Sequence, residues 1–376
     1  MLKKWLIVFF IFAVFCGSVV ALIHANKGKK YDIKAFANLN AKRKDDVQGV
    51  SVAEKKRYEV AAEKLDQYLK DKGFNGSVLV ASKDHVILRK GYGYANVKDN
   101  VLTTPRTKYR IGSITKTVVA ISIMQLREKG QLNIDDNVNK YIPSFPADKN
   151  ITLRNLLTHT SGLPDQGQGS VDAASRLKLV TWIGKQTLQF PAGTGWKYTD
   201  YNYMVLAYIV EKISNKPLAE YVKENIFTPV EMHESGMGTT LPEDIFLAEG
   251  YTKKDNELID APRLKMNWLY GCGEMYTTVG DMKRLDEAIM DGKLLSKQSL
   301  TDMFSASPAR KYGFSFYIYP DYYHNHGVLA GWNTFNNFNW DKRTFVILFS
   351  NVQNGMNDAF NQEFRKMAND LIEGKQ

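Results

Sequence analysis

The chain has 376 residues, 44% hydrophobic and 12% aromatic, which suffices for one large or two small domains with a real core. Its two cysteines, Cys16 and Cys272, exclude a disulfide framework. The net charge is +10, but the lysines are spread along the chain. No basic block marks a nucleic-acid reader, and a generally basic surface accounts for the charge as well as a polyanion partner does.

Lys3 and Lys4 precede an uncharged apolar run from Trp5 to Ile23. At about 1.5 Å per residue the run nearly spans a bilayer core of roughly 30 Å. Residues 1–24 therefore read as an uncleaved, single-pass membrane anchor with the rest of the chain outside the cell. Cleavage after Ala21 or Ala25 stays open as an alternative, and Lys27, Lys29 and Lys30 soften the charge asymmetry. Cys16 is a poor lipidation site because Phe15 precedes it. Residues 25–50 are polar and lysine-rich without an apolar period, and read as a tether.

Residues 51–376 form the expected catalytic domain. Val60, Leu65, Tyr68 and Leu69 recur at helical spacing between Val52 and Lys72. Gly76–Ala81 and Val86–Tyr94 read as two strands, with Gly91-Tyr92-Gly93 as a strand bend rather than a nucleotide loop. A helix is expected over 114–129, and a helical insert over about 114–265 that includes helices at Tyr201–Ser214 and Pro217–Asn225. Strands return at Met275–Thr278, Tyr312–Tyr319, Trp332–Trp340 and Thr344–Asn351, and an amphipathic helix closes the chain over Met356–Glu373. Strands at both ends with helices between predict one sheet built from the two ends of the domain.

The chemistry-bearing pattern is Ser113-Ile114-Thr115-Lys116. A serine hydroxyl is a weak nucleophile until a base takes its proton, and positions i and i+3 of a helix share a face. Ser175-Arg176-Leu177-Lys178 has the same spacing. Only Ser113 follows an extended, glycine-ended segment (Tyr109-Arg110-Ile111-Gly112) and opens an apolar helix. That junction can offer a backbone N–H and a helix N-terminus to a developing negative charge. Ser113 is thus the candidate nucleophile and Lys116 its proton acceptor. Pro191-Ala192-Gly193-Thr194 leads to Tyr198, a candidate proton relay. Cys272, between Gly271 and Gly273, reads as a small buried residue rather than a reactive thiol.

The segments Tyr-Arg-Ile-Gly-Ser-Ile-Thr-Lys (109–116), Leu-Leu-Thr-His-Thr-Ser-Gly-Leu-Pro (156–164) and Pro-Ala-Gly-Thr (191–194) resemble the serine beta-lactamase-related family, which includes class C beta-lactamases, D,D-peptidases and esterases. The likeness covers about 60–376. It implies an α/β fold with an antiparallel sheet flanked by helices, a helical subdomain, and a Ser–Lys–Tyr acylation site of Ser113, Lys116 and Tyr198. It implies no cofactor and no metal. His159 reads as a structural loop residue.

Two positions depart from the family pattern. Where the third motif carries a cation, this chain has Asn325-His326-Gly327, with Val328 next to offer a second oxyanion N–H. His324 and His326 could restore some positive charge. Asp200 stands where most relatives have Asn; it would hold Lys116 charged and would suit a substrate ammonium. Both changes disfavour a substrate carboxylate and favour an amine. Gly73–Val78, Tyr198–Leu206 and Tyr270–Tyr276 further resemble the teichoic acid D-alanine esterase subgroup, which implies anchoring outside Gram-positive cells, D-alanylated teichoic or lipoteichoic acid as substrate, and poor reaction with penicillins. The other readings are a penicillin-binding D,D-carboxypeptidase or weak beta-lactamase, and a non-catalytic wall-binding protein.

Overall fold

The computed structural model describes residues 50–165, 175–238, 246–255, 257–307 and 310–375. The expected anchor and nearly all of the expected tether lie outside these. Among the described residues no helix is long and apolar enough to cross a membrane.

Helix α1 (Val52–Asp71) begins with a capping box: the Ser51 hydroxyl accepts the Glu54 N–H, and the Glu54 carboxylate accepts the Ser51 N–H. It buries Ala61, Leu65 and Leu69, spaced four apart on one face. Each leucine contributes roughly 1.5–3 kcal/mol by leaving water. Strands β1 (Gly76–Ser82) and β2 (His85–Tyr92) follow, then the small hairpin of β3 (Tyr94–Asn96) and β4 (Val101–Leu102). β5 (Tyr109–Arg110) leads through a 3-10 turn, Gly112–Thr115, into α2 (Lys116–Glu128). α3 (Leu153–Leu157), α4 (Arg176–Lys185), α5 (Asp200–Ser214) and α6 (Leu218–Val222) form the helical part, in which α5 touches α2, α3, α4 and α6. α2 is buried almost all round, as a core helix must be.

β6 (Tyr251–Lys254) and β7 (Glu257–Asp260) form a hairpin, and β8 (Tyr276–Thr277) pairs with β5. After α7 (Val279–Met290) and α8 (Lys297–Met303) come β9 (Tyr317–Ile318), β10 (Tyr323–Leu329), β11 (Trp332–Asn339), β12 (Thr344–Ser350) and α9 (Asp358–Glu373). Among the described residues six strands make one antiparallel sheet in the order β2-β1-β12-β11-β10-β9. β1 and β12 lie in its interior, and Gly76 pairs with Ser350. α1 and α9 pack together on one face over Val78, Val80, Phe335 and Leu348. α7 packs against β1 and β12, and the core on that side holds Leu79, Ala81, Phe345, Ile347 and Phe349. The alternation along each strand sorts these residues between faces.

The structure differs from the sequence pattern at two places. Of the expected strand Tyr312–Tyr319, only Tyr317–Ile318 is extended. Ser315 has φ of +71° and the Gly313 N–H bonds to the Phe316 carbonyl, so this apolar run turns to bury Phe314 and Phe316. Conversely β10 is a full strand although its sequence, Tyr-His-Asn-His-Gly-Val-Leu, has no apolar period.

Candidate active site

Gly112 carries the turn before Ser113 in the left-handed region, φ +51°. The nucleophile turn then meets β10 so closely that a Cβ on Gly327 would lie 1.8 Å from the Ile111 carbonyl oxygen and 3.0 Å from the Ser113 nitrogen. A Cβ on Gly112 would lie 3.0 Å from the Val328 nitrogen. Two glycines thus bring the Ser113 and Val328 backbone nitrogens to one place. The Thr334 hydroxyl ties the pair together, within reach of both the Ile111 and Gly327 carbonyls.

Lys116 is 1% exposed, and its Nζ has three acceptors: Ser113 Oγ at 3.1 Å, Asp200 Oδ1 at 2.7 Å and the Cys272 carbonyl at 3.0 Å. An ammonium has three protons to give, so the set is complete. Burial alone would lower the lysine's pKa, but the Asp200 carboxylate, helped by Tyr198 and Cys272, outweighs it and holds Lys116 above the ordinary lysine range. Asp200 is the first residue of α5, where the helix N-terminus favours its charge, and the Thr199 hydroxyl caps the turn.

Burial pushes the Tyr198 phenol up to about 12, although the Lys116 ammonium pulls it back. Its ring centre is 4.9 Å from Lys116 Nζ and stacks on His159 at 4.3 Å. His159 is fully buried. Its Nδ1 receives the Thr199 N–H at 3.3 Å and the Asn202 amide at 2.9 Å, which places the ring proton on Nε2. Burial, reinforced by the Lys116 charge, holds His159 well below the ordinary range, so it is neutral. It is a platform under Tyr198, and its own backbone oxygen also accepts the Lys197 N–H.

Ser113, Tyr198, Tyr312, Tyr317, Asn325 and Val328, with Ser315 and His326, line a cleft of about 200 Å³. No formally charged side chain is among its described lining residues. Asn325 is buried, and its amide donates to Thr117 Oγ1 at 2.9 Å, which in turn bonds Ser315. Strand alternation turns the His324 and His326 rings away from Asn325, while His326 remains in the cleft lining. Their rings lie on the opposite face of β10 from Asn325, where His326 stacks on Phe335 at 4.1 Å and bonds Asn333, and His324 bonds Asn337. Burial lowers both, His324 to about 4. Asp200 is absent from the cleft lining and stands behind Lys116. Ser175, the rival serine, only caps α4 by accepting the Lys178 N–H.

The sequence reading missed the Cys272 carbonyl and the buried Glu274 beside it. A backbone acceptor leaves no side-chain signature, and the Lys116–Cys272 contact is far apart in sequence.

The Beta-lactamase family profile matches residues 61–368. PbpX of Bacillus subtilis (strain 168), which is named as a penicillin-binding protein, is 38% identical over 292 residues, covering 78% of this chain and 74% of that protein. The teichoic acid D-alanine hydrolase of Staphylococcus aureus (strain NCTC 8325 / PS 47) is 30% identical over 313 residues, 82% of this chain and 77% of that protein. The crystal structure of FmtA from Staphylococcus aureus superposes with a TM-score of 0.76 at 28% identity, covering 85% of this chain and 90% of that one. A class C beta-lactamase shares the fold, with a TM-score of 0.72 at 18% identity over 85% of this chain and 97% of that one. Matched over a span that holds the sheet, the helical part and the whole Ser113–Lys116 site, this chain belongs to the beta-lactamase family.

Proposed function

We propose that the chain is an extracytoplasmic serine hydrolase that removes D-alanyl esters from teichoic or lipoteichoic acid through an acyl-enzyme at Ser113. The observation that carries this reading is the cleft itself: its described lining has no cation, and neutral Asn325 stands where the related pattern puts one. A substrate carboxylate finds no cationic partner among these residues. A D-alanyl ester has no free carboxylate and carries an ammonium, which suits the rings of Tyr198, Tyr312 and Tyr317. The 30% identity to a teichoic acid D-alanine hydrolase supports the same substrate.

The hydrogen bonds support the following chemistry for this reading. Ser113 Oγ attacks the ester carbonyl, and the Ser113 and Val328 N–H groups receive the oxyanion. Lys116, fully protonated at rest, takes the serine proton only as it hands one of its own to Asp200, 2.7 Å away. Tyr198, kept as a phenol, protonates the departing alkoxide and recovers a proton from Asp200 through Lys116. Water then cleaves the acyl-serine, releasing D-alanine. The uncharged run at 5–23 would hold the domain at the outer membrane surface.

Purified protein incubated with D-alanylated lipoteichoic acid is expected to release D-alanine, and Ser113→Ala to abolish the release. No release by the wild type, or equal release by the variant, overturns the proposal. Strong labelling of Ser113 by fluorescent penicillin at low concentration, together with no D-alanine release, would favour the carboxypeptidase reading that the likeness to PbpX supports.

A further inference from the structure

We propose that Glu274 is a positioning residue for acylation: its carboxylate clamps the turn whose Cys272 carbonyl holds Lys116 in place. Glu274 Oε1 accepts the Gly271 N–H at 3.0 Å. Gly271 sits at φ +68°, and a Cβ there would lie 2.3 Å from the Ala207 Cβ and 2.9 Å from the Tyr203 carbonyl oxygen, so the turn is pressed directly onto α5. The next residue's carbonyl is the third acceptor of Lys116. The far end of the turn is tied to the nucleophile's own segment. The Arg110 guanidinium donates to the Glu274 carbonyl at 3.0 Å, the Ile111 N–H to the Met275 carbonyl at 3.1 Å, and the Met275 N–H to Thr115 Oγ1 at 3.1 Å. Residues 271–275 therefore form a bracket around Ser113 and Lys116, and the Glu274 side chain closes the end of it that no strand pairing supports.

A buried carboxylate is a costly choice for a purely structural clamp, because an amide could accept the same N–H. Glu274 is 7% exposed. It faces Arg176 and Glu211 from α4 and α5, Arg110 from β5, whose guanidinium lies over the Tyr276 ring, and Tyr270 and Cys272 from its own loop. Burial, with Glu211 adding to it and Arg176 and Arg110 opposing it, raises its pKa to about 7. The charged form is the stronger acceptor, so the clamp tightens as pH rises through neutrality. The buried His159 beside Tyr198 is shifted down, away from this window.

The inference rests on Ser113 being the nucleophile but not on the identity of the substrate. The test therefore uses a fluorophosphonate probe, which needs no D-alanyl group, on the full chain. Glu274→Ala is expected to slow Ser113 labelling about tenfold at pH 8, the scale of one lost buried hydrogen bond. Glu274→Gln keeps an acceptor and restores most of the rate. The ratio of wild-type to Glu274→Gln rates is expected to grow from pH 6 to pH 8, a trend that a fixed structural prop would not produce. A ratio constant with pH overturns the proposal, as does a Glu274→Ala variant that labels like wild type throughout. If Glu274→Ala does not fold, the pH trend of the Gln variant decides alone. Absence of labelling in the wild type would instead strike at the Ser113 assignment.

Discussion

A lysine whose three protons are all engaged can serve as a base only if one acceptor takes a proton from it. The acceptor nearest to Lys116 is Asp200, and in the proposed relay Lys116 is a conduit whose charge is the same before and after the step. Asp200→Asn removes the terminal acceptor and the charge that holds Lys116 protonated. Labelling of Ser113 by a fluorophosphonate is then expected to fall about 10²-fold at pH 6, within the usual range for a lost general base. It should recover toward alkaline pH as Lys116 itself loses a proton, which a pH–rate profile would show. Amine-bearing and neutral esters should lose equally. A loss confined to amine-bearing esters would mean that Asp200 meets the substrate and does not serve the relay. The Ser113–Lys116 spacing was readable from sequence because side-chain identity and helix periodicity encode it. The Cys272 carbonyl was not, since any residue there presents the same group.

At the scale of elements, β10 shows what the sequence pattern hides. Its alternation puts Asn325 and Gly327 toward Ser113 and turns the rings of His324 and His326 onto Phe335. Polar residues on both faces cancel the usual apolar signal of a strand, so only the likeness to a known family pointed to one here. The buried imidazoles have a further consequence. Burial depresses His324 to about 4, below its ordinary value of 6.5, so the unfolded chain binds the proton more readily than the folded one. Stability from this residue is complete above about pH 6.5 and is lost as pH falls toward 4. Thermal melts over that window should show a falling Tm, and His324→Gln, which cannot take up a proton, should flatten the fall. An unchanged slope would show that the imidazole titrates freely. The misread run at 312–319 has the opposite origin: its aromatic residues look like a strand, but tertiary packing of Phe314 and Phe316 overrides the local preference.

On the scale of the whole molecule, the net charge of +10 acts at a distance on a polyphosphate chain and hardly at all on a small neutral ester. D-alanine release from lipoteichoic acid is expected to drop several-fold between low and physiological salt, over which the Debye length shrinks to about 8 Å. Hydrolysis of a small neutral ester by the same protein should stay level. Equal salt response of the two would assign the basic surface no part in substrate capture. That α/β architecture was legible because the strand-like segments cluster at both ends of the domain; the order of strands within the sheet was not, because pairing between distant segments leaves no local mark.

The pairing of Gly76 with Ser350 also governs when activity can arise during synthesis. The helical part can assemble from contiguous sequence as it emerges. β1 and β2 have no partner but each other until β12 is made, and the Val328 N–H reaches Ser113 only when β10 is held between β9 and β11. A chain interrupted between Tyr198 and β10 carries Ser113, Lys116 and Tyr198 and still lacks the Val328 N–H. Translation must run nearly to its end before the Val328 N–H can stand beside Ser113.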